Sequence, residues 1–147
     1  MVDAAILGLG WWGQALVSAV QGKSERLRFV KAEVPDVAKR AAVAGQLGVA
    51  LTESYSEVLS DPSIQAIVVA TPHSLHGEQV VAAARAGKAV FCEKPLSLTR
   101  EGAQQCVDAC AAAGVTLAVG HNRRFMPAIA YLQDALGRGL LGQVLHL

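Results

Sequence analysis

Ala4-Ala5-Ile6-Leu7-Gly8-Leu9-Gly10-Trp11-Trp12-Gly13-Gln14-Ala15-Leu16-Val17 is the stretch that decides the fold. An apolar run of strand character leads into a Gly-x-Gly-x-x-Gly turn, and the turn opens onto residues suited to the first turns of a helix. Each glycine answers a local requirement. Gly8 permits the tight strand-to-helix turn, Gly10 lets backbone N–H groups approach a pyrophosphate, and Gly13 lets helix and strand pack closely. A helix N-terminus then faces the phosphates. Three glycines alone also describe an ordinary loop; their place between a strand and a helix gives them meaning. Gly8, Gly10, Trp11, Trp12 and Gly13 are therefore candidate cofactor-binding residues.

Outward from this turn, short apolar runs that mostly do not alternate lie at 4–7, 28–32, 66–70, 89–92 and 116–119, as strands of a sheet buried on both faces do. Helix-compatible stretches separate them at 12–21, 37–47, 54–59, 74–86 and 99–113. Gly87 and Gly114 each follow an alanine-rich helical run and suit the left-handed position that ends a helix. Thr99 is a sensible N-cap for the last of these helices. The alternation predicts an α/β fold, a doubly wound parallel sheet of the Rossmann type, with its ligand crevice at the carboxyl ends of the strands.

The chain has 147 residues, 52% of them hydrophobic and 17% charged, which suits one globular domain with a real core. A formal net charge of +1 leaves no electrostatic footprint for nucleic acid or an anionic membrane surface. The N-terminus lacks the pattern of a signal peptide, and no apolar run approaches the ~20 residues of a membrane span. The expected location is cytoplasmic. Three cysteines, Cys92, Cys106 and Cys110, form no paired framework and read as small buried hydrophobes. Cys106 and Cys110 share a helical face, but no further ligand lies near them in sequence, so no metal is expected.

Residues just after strands are the ones a crevice at the strand ends can use. Glu33 lies twenty residues beyond Gly13, about where an acid meets the ribose hydroxyls of NAD. Asp36 is its rival for that role, and Lys39 with Arg40 would instead suit a 2′-phosphate. NAD is favoured over NADP on this reading, with a solvated strand end as the competing explanation for Glu33. Thr71 and Pro72 begin a rigid turn that suits the ribose or nicotinamide side of a cofactor, with a structural cap as the alternative. His73 and His76 lack a third ligand at helical spacing, and His76 reads as a residue that orders this loop. In Glu93-Lys94-Pro95 a lysine fixed after a buried strand can reach into the crevice and hydrogen-bond a substrate oxygen. His121, also after a strand, reads as a loop histidine rather than a base.

Four pieces together resemble the Gfo/Idh/MocA oxidoreductases: the glycine turn; Ala70-Thr71-Pro72 with His76; Ala86-Gly87-Lys88 leading into Val90-Phe91-Cys92-Glu93-Lys94-Pro95-Leu96; and Gly120-His121-Asn122-Arg123-Arg124-Phe125. The resemblance implies an N-terminal Rossmann domain holding NAD or NADP. It further implies that Lys94 is catalytic, contacting the reacting substrate oxygen and helping to place the nicotinamide, and that Glu93 and Pro95 shape that loop. Asn122 and Arg124 join the cofactor-binding set. Members of the family oxidise a secondary alcohol, often of a sugar or cyclitol, with a histidine of a second domain taking the proton.

That second domain, an open antiparallel sheet in the family, is expected to be absent here, which makes the chain a domain fragment or a truncated product. Residues 1–125 are read as the NAD(P)-binding domain and 126–147 as a connecting helix with the start of the next domain. The expected partners are a polyol or sugar substrate, with no nucleic acid and no membrane. Apolar surface within 125–136 and 140–147 leaves a homo-oligomer open, with the tail adding as an edge strand to another copy. A non-catalytic NAD(P)-binding or regulatory module is the alternative function.

Overall fold

A computed structural model describes residues 1–143 and 145. The centre of the sheet is β1 (Val2–Leu7). Ala4 and Ile6 join a core on one side while Ala5 and Leu7 join a core on the other, and all four are fully buried. That double burial is why the run does not alternate polar with apolar.

Five more strands lie parallel to it: β2 (Leu27–Glu33), β3 (Ala50–Thr52), β4 (Ala66–Val69), β5 (Ala89–Cys92) and β6 (Leu117–Val119). Their order across the sheet is β3-β2-β1-β4-β5-β6. The chain winds outward from β1 to β3, then returns to β4 on the opposite flank, so the strand order reverses between β1 and β4 and opens a crevice at their carboxyl ends.

Helices α1 (Trp11–Val20) and α2 (Val37–Leu47) contribute Val17 and Ala44 to the core on one face. On the other face α3 (Tyr55–Ser60), α4 (His76–Arg85) and α5 (Arg100–Ala113) contribute Val58, Val80, Ala83, Ala84, Cys106 and Cys110. Burying one such valine stabilises by roughly 1.5–3 kcal/mol. The caps follow the sequence reading: the Thr99 hydroxyl accepts from Gly102 N–H at 3.0 Å, and Gly87 and Gly114 have φ of +72° and +66°. A further helix, α6 (Pro127–Gly137), follows a 3-10 turn over Asn122–Phe125.

Two differences from expectation are local. β3 was not expected as a strand; three residues on a sheet edge carry no readable period, and only its pairing from Lys31↔Ala50 to Glu33↔Thr52 defines it. The helix expected from residue 74 begins instead as a separate 3-10 turn, His73–Leu75, and becomes α-helical at His76. The strand expected over 142–147 rests on Val144, His146 and Leu147, which lie outside the described residues. In α6 only Ala135 is buried, and Phe125, Tyr131, Leu132 and Leu140 are exposed. Among the described residues, no helix is long and apolar enough to cross a membrane.

Candidate cofactor site

The loops that leave β1, β4, β5 and β6 meet over the crevice. A cavity of about 400 Å³ is lined by Trp11 and Trp12 after β1, by Thr71, His73 and His76 after β4, by Glu93 and Lys94 after β5, and by Asn122 and Arg123 after β6. Beside it a groove of about 490 Å³ runs over Gly8 and Gly10, past Pro72, to Asp36, Lys39 and Arg40. A third hollow brings Arg124 and His121 next to Lys94. Pockets of this size at a switch point of an α/β sheet are the usual place for a small ligand.

The glycine turn has the shape its residues imply. Gly8 has φ +87°, and its N–H donates to the Glu33 carbonyl at 2.9 Å, tying the turn to the end of β2. A Cβ at Gly13 would overlap the Gly8 carbonyl oxygen, so α1 can approach β1 this closely only with glycine there. A Cβ at Gly10, in contrast, would meet nothing within 4 Å. Space stands open above Gly10 in front of the N-terminus of α1, where an anion is favoured by unpaired N–H groups. The indole N–H of Trp12, a residue that lines both cavity and groove, is buried without a partner among the described residues. These features fit a dinucleotide.

Glu33 ends β2 half-buried, and burial pushes its carboxyl pKa up. It contributes to neither the cavity nor the groove wall; of the two acids weighed for the ribose, the structure places Asp36 in that wall. Asp36 caps α2 through the Lys39 N–H at 3.0 Å and pairs with the Lys39 ammonium at 2.8 Å, which holds its pKa below the usual carboxylate range. Thr71 donates its hydroxyl hydrogen to Gln79 Oε1, so only its lone pairs and the backbone face the cavity.

Glu93 is only 7% exposed; its Oε2 accepts from the Lys94 N–H at 3.3 Å. Its carboxylate lies against the Cα of Gly120, where a Cβ would stand 2.7 Å from Oε1. The Lys94 ammonium makes no hydrogen bond or ion pair among the described residues, and the Lys94–Pro95 bond is cis. Sequence reasoning weighed His73 only as a metal ligand and quoted Gly120 and Arg123 only within a matching piece, so none of the three was a candidate site residue. Their signal was position, since each lies in or beside a loop already marked by another residue. The three cysteines are buried, and burial pushes the Cys92 thiol up to about 12.

The family model described as "Oxidoreductase family, NAD-binding Rossmann fold" matches residues 2–121. The chain belongs to this Gfo/Idh/MocA family. Across 99% of its length it is 35% identical to a scyllo-inositol 2-dehydrogenase (NAD(+)) of Bacillus subtilis (strain 168), covering 43% of that protein. A solved myo-inositol 2-dehydrogenase from Lactobacillus plantarum superposes with a TM-score of 0.90 at 26% identity, over 97% of this chain and 43% of that one. The scyllo-inositol dehydrogenase from Lactobacillus casei with bound NAD(H) and scyllo-inositol gives 0.89 at 25% identity, with the same coverage. The chain spans about two-fifths of the length of the curated Gfo/Idh/MocA relatives it matches. It is an NAD(P)-binding domain of this oxidoreductase family.

Proposed function

We propose that the whole protein is an NAD(P)-dependent dehydrogenase acting on a secondary alcohol of a sugar, a cyclitol or a related polyol, and that this chain supplies its cofactor site and one catalytic residue, Lys94. One observation carries the reading: Lys94, whose ammonium has no partner among the described residues, shares a cavity with Trp12 of the glycine turn and with the Thr71 turn. Gly8, Gly10 and Gly13 would seat the pyrophosphate at α1. Trp11, Trp12, Thr71, His76, Glu93 and Asn122 would surround the nicotinamide end, with Pro72 on the groove side and Arg124 beside Lys94. The nicotinamide cofactor supplies the hydride acceptor when bound.

Lys94 Nζ donates a hydrogen bond to the alcohol oxygen, orients its carbon toward the cofactor and favours the charge that develops as the hydroxyl proton departs. The proton acceptor is proposed to come from the remainder of the whole protein, since relatives are more than twice as long. NAD is the favoured cofactor because Asp36, at the N-terminus of α2, sets a carboxylate in the groove wall. Lys39 and Arg40 in the same wall are the competing feature. The boundary near residue 125, a homo-oligomer formed over the exposed apolar side of α6, and a cytoplasmic location belong to this same proposal.

The test is a titration of this chain with NADH and NADPH, followed by emission from Trp11 and Trp12, the only tryptophans. Saturable quenching with tighter binding of NADH is expected. No response at millimolar cofactor in a folded chain would overturn the reading.

A further inference from the structure

His76, the first residue of α4, is fully buried, and its ring lies between two loops of the site. Nδ1 stands 2.7 Å from the Pro95 carbonyl oxygen and Nε2 stands 3.0 Å from the Thr71 carbonyl oxygen. Both partners can only accept. The ring therefore donates on whichever side carries hydrogen, and on both sides when both nitrogens do.

The two loops have little else to hold them together. The backbone ladder between β4 and β5 ends with Glu93 N–H donating to the Val69 carbonyl at 2.9 Å, one residue short of Lys94. Beyond that point, among the described residues, no other hydrogen bond runs between the 70–73 turn and the 94–97 loop, directly or through one shared side chain. His73, from the preceding 3-10 turn, packs edge-on against the ring at 5.4 Å and leaves both ring nitrogens to the carbonyls.

We propose that His76 is a positioning residue: a clamp that fixes the Lys94–Pro95 loop against the Thr71 turn and so sets where the Lys94 ammonium stands in the cavity. A buried ring set between two carbonyls, donating to one and packed against the other, has one orientation, and the loops in contact with it inherit that orientation. What Lys94 is positioned to do rests on the function proposed above; the clamp itself does not.

His76→Phe keeps an aromatic ring and removes its hydrogen-bonding nitrogens, whereas His76→Gly leaves a cavity that added imidazole can fill. In amide ¹H–¹⁵N spectra of this chain, His76→Phe is expected to shift the signals of Thr71, His73, Lys94, Leu96 and Ser97 while Ala15–Ser18 stay in place. Imidazole should return the His76→Gly loop signals to their wild-type positions and leave those of His76→Phe unchanged. In the whole protein, kcat of His76→Phe should fall about 10- to 100-fold. Loop signals that do not move in His76→Phe would overturn the clamp, because the ring would then only fill space. Moved loops with an unchanged kcat would overturn the positioning of Lys94. If the wild-type whole protein oxidises no alcohol, the proposed function fails, and the spectra still decide the clamp. Should His76→Gly not fold, His76→Phe decides alone.

Discussion

The Cα of Gly8 faces the Ala70 carbonyl so closely that a Cβ there would stand 2.7 Å from its oxygen. The contact joins the carboxyl ends of β1 and β4, the two strands between which the sheet reverses direction, and so closes the floor of the cofactor groove. Gly8 also has φ +87°, which an L side chain rarely adopts.

Gly8→Ala should therefore cost about 2–3 kcal/mol of stability from strain and overlap together, read as a lowered urea midpoint. Gly10→Val separates binding from folding, since open space surrounds that position. Its Tm should stay near wild type while the NADH Kd rises at least ~10-fold, because a side chain would occupy the pyrophosphate position. Unchanged NADH affinity would remove the pyrophosphate from this turn.

Lys88, only 7% exposed, donates to the carbonyls of Asp61 and Ile64, each at 2.7 Å, and ties the loop before β4 to the start of β5. Lys88→Met should destabilise the domain by about 2–4 kcal/mol, since two carbonyls lose a charged donor. Cofactor affinity of the folded fraction should not change. A denaturant midpoint equal to wild type would contradict this role.

Asp61 has its carboxyl held down to about 2 from the ordinary 3.8, first by the Ser63 hydroxyl and then by the Lys31 ammonium. A folded pKa below the unfolded one means stability that is present above the unfolded value and lost as pH falls through the folded value. Between about pH 4 and pH 2 the wild-type domain should lose stability more steeply than Asp61→Asn. Parallel acid limbs for the two proteins in thermal melts would refute the pairing.

Lys94→Ala, made in the whole protein, should lower kcat by roughly 100-fold or more and leave the cofactor Kd nearly unchanged, as expected for a group whose contact tightens in the transition state. Steady-state kinetics beside a fluorescence titration separate the two quantities. An intact turnover number would take Lys94 out of the mechanism.

Most of the fold was legible because its signals are local. Ala4–Leu7 and Ala89–Cys92 are continuous apolar runs, and the residues that end or cap helices, Gly87, Gly114 and Thr99, act within a few residues of themselves. β3 was missed because three residues on an edge are held only by their pairing with β2. Much of the candidate site was legible for a topological reason: in a parallel sheet the loops at the carboxyl ends converge, so Thr71, Lys94 and Asn122, which line one cavity, could be gathered without any contact being known.

The sequence by itself determined the alternation of strands and helices apart from β3, the glycine turn and the family, since each is written in short windows whose spacing is set by backbone geometry. Tertiary structure alone decided that Asp36 rather than Glu33 stands in the groove wall, that the Glu93 carboxylate rests on Gly120, and that His76 bridges Thr71 and Pro95. These relations depend on which way a side chain leaves its strand and on how closely distant segments approach. Such distances are fixed by packing across the sheet, and no local pattern encodes them.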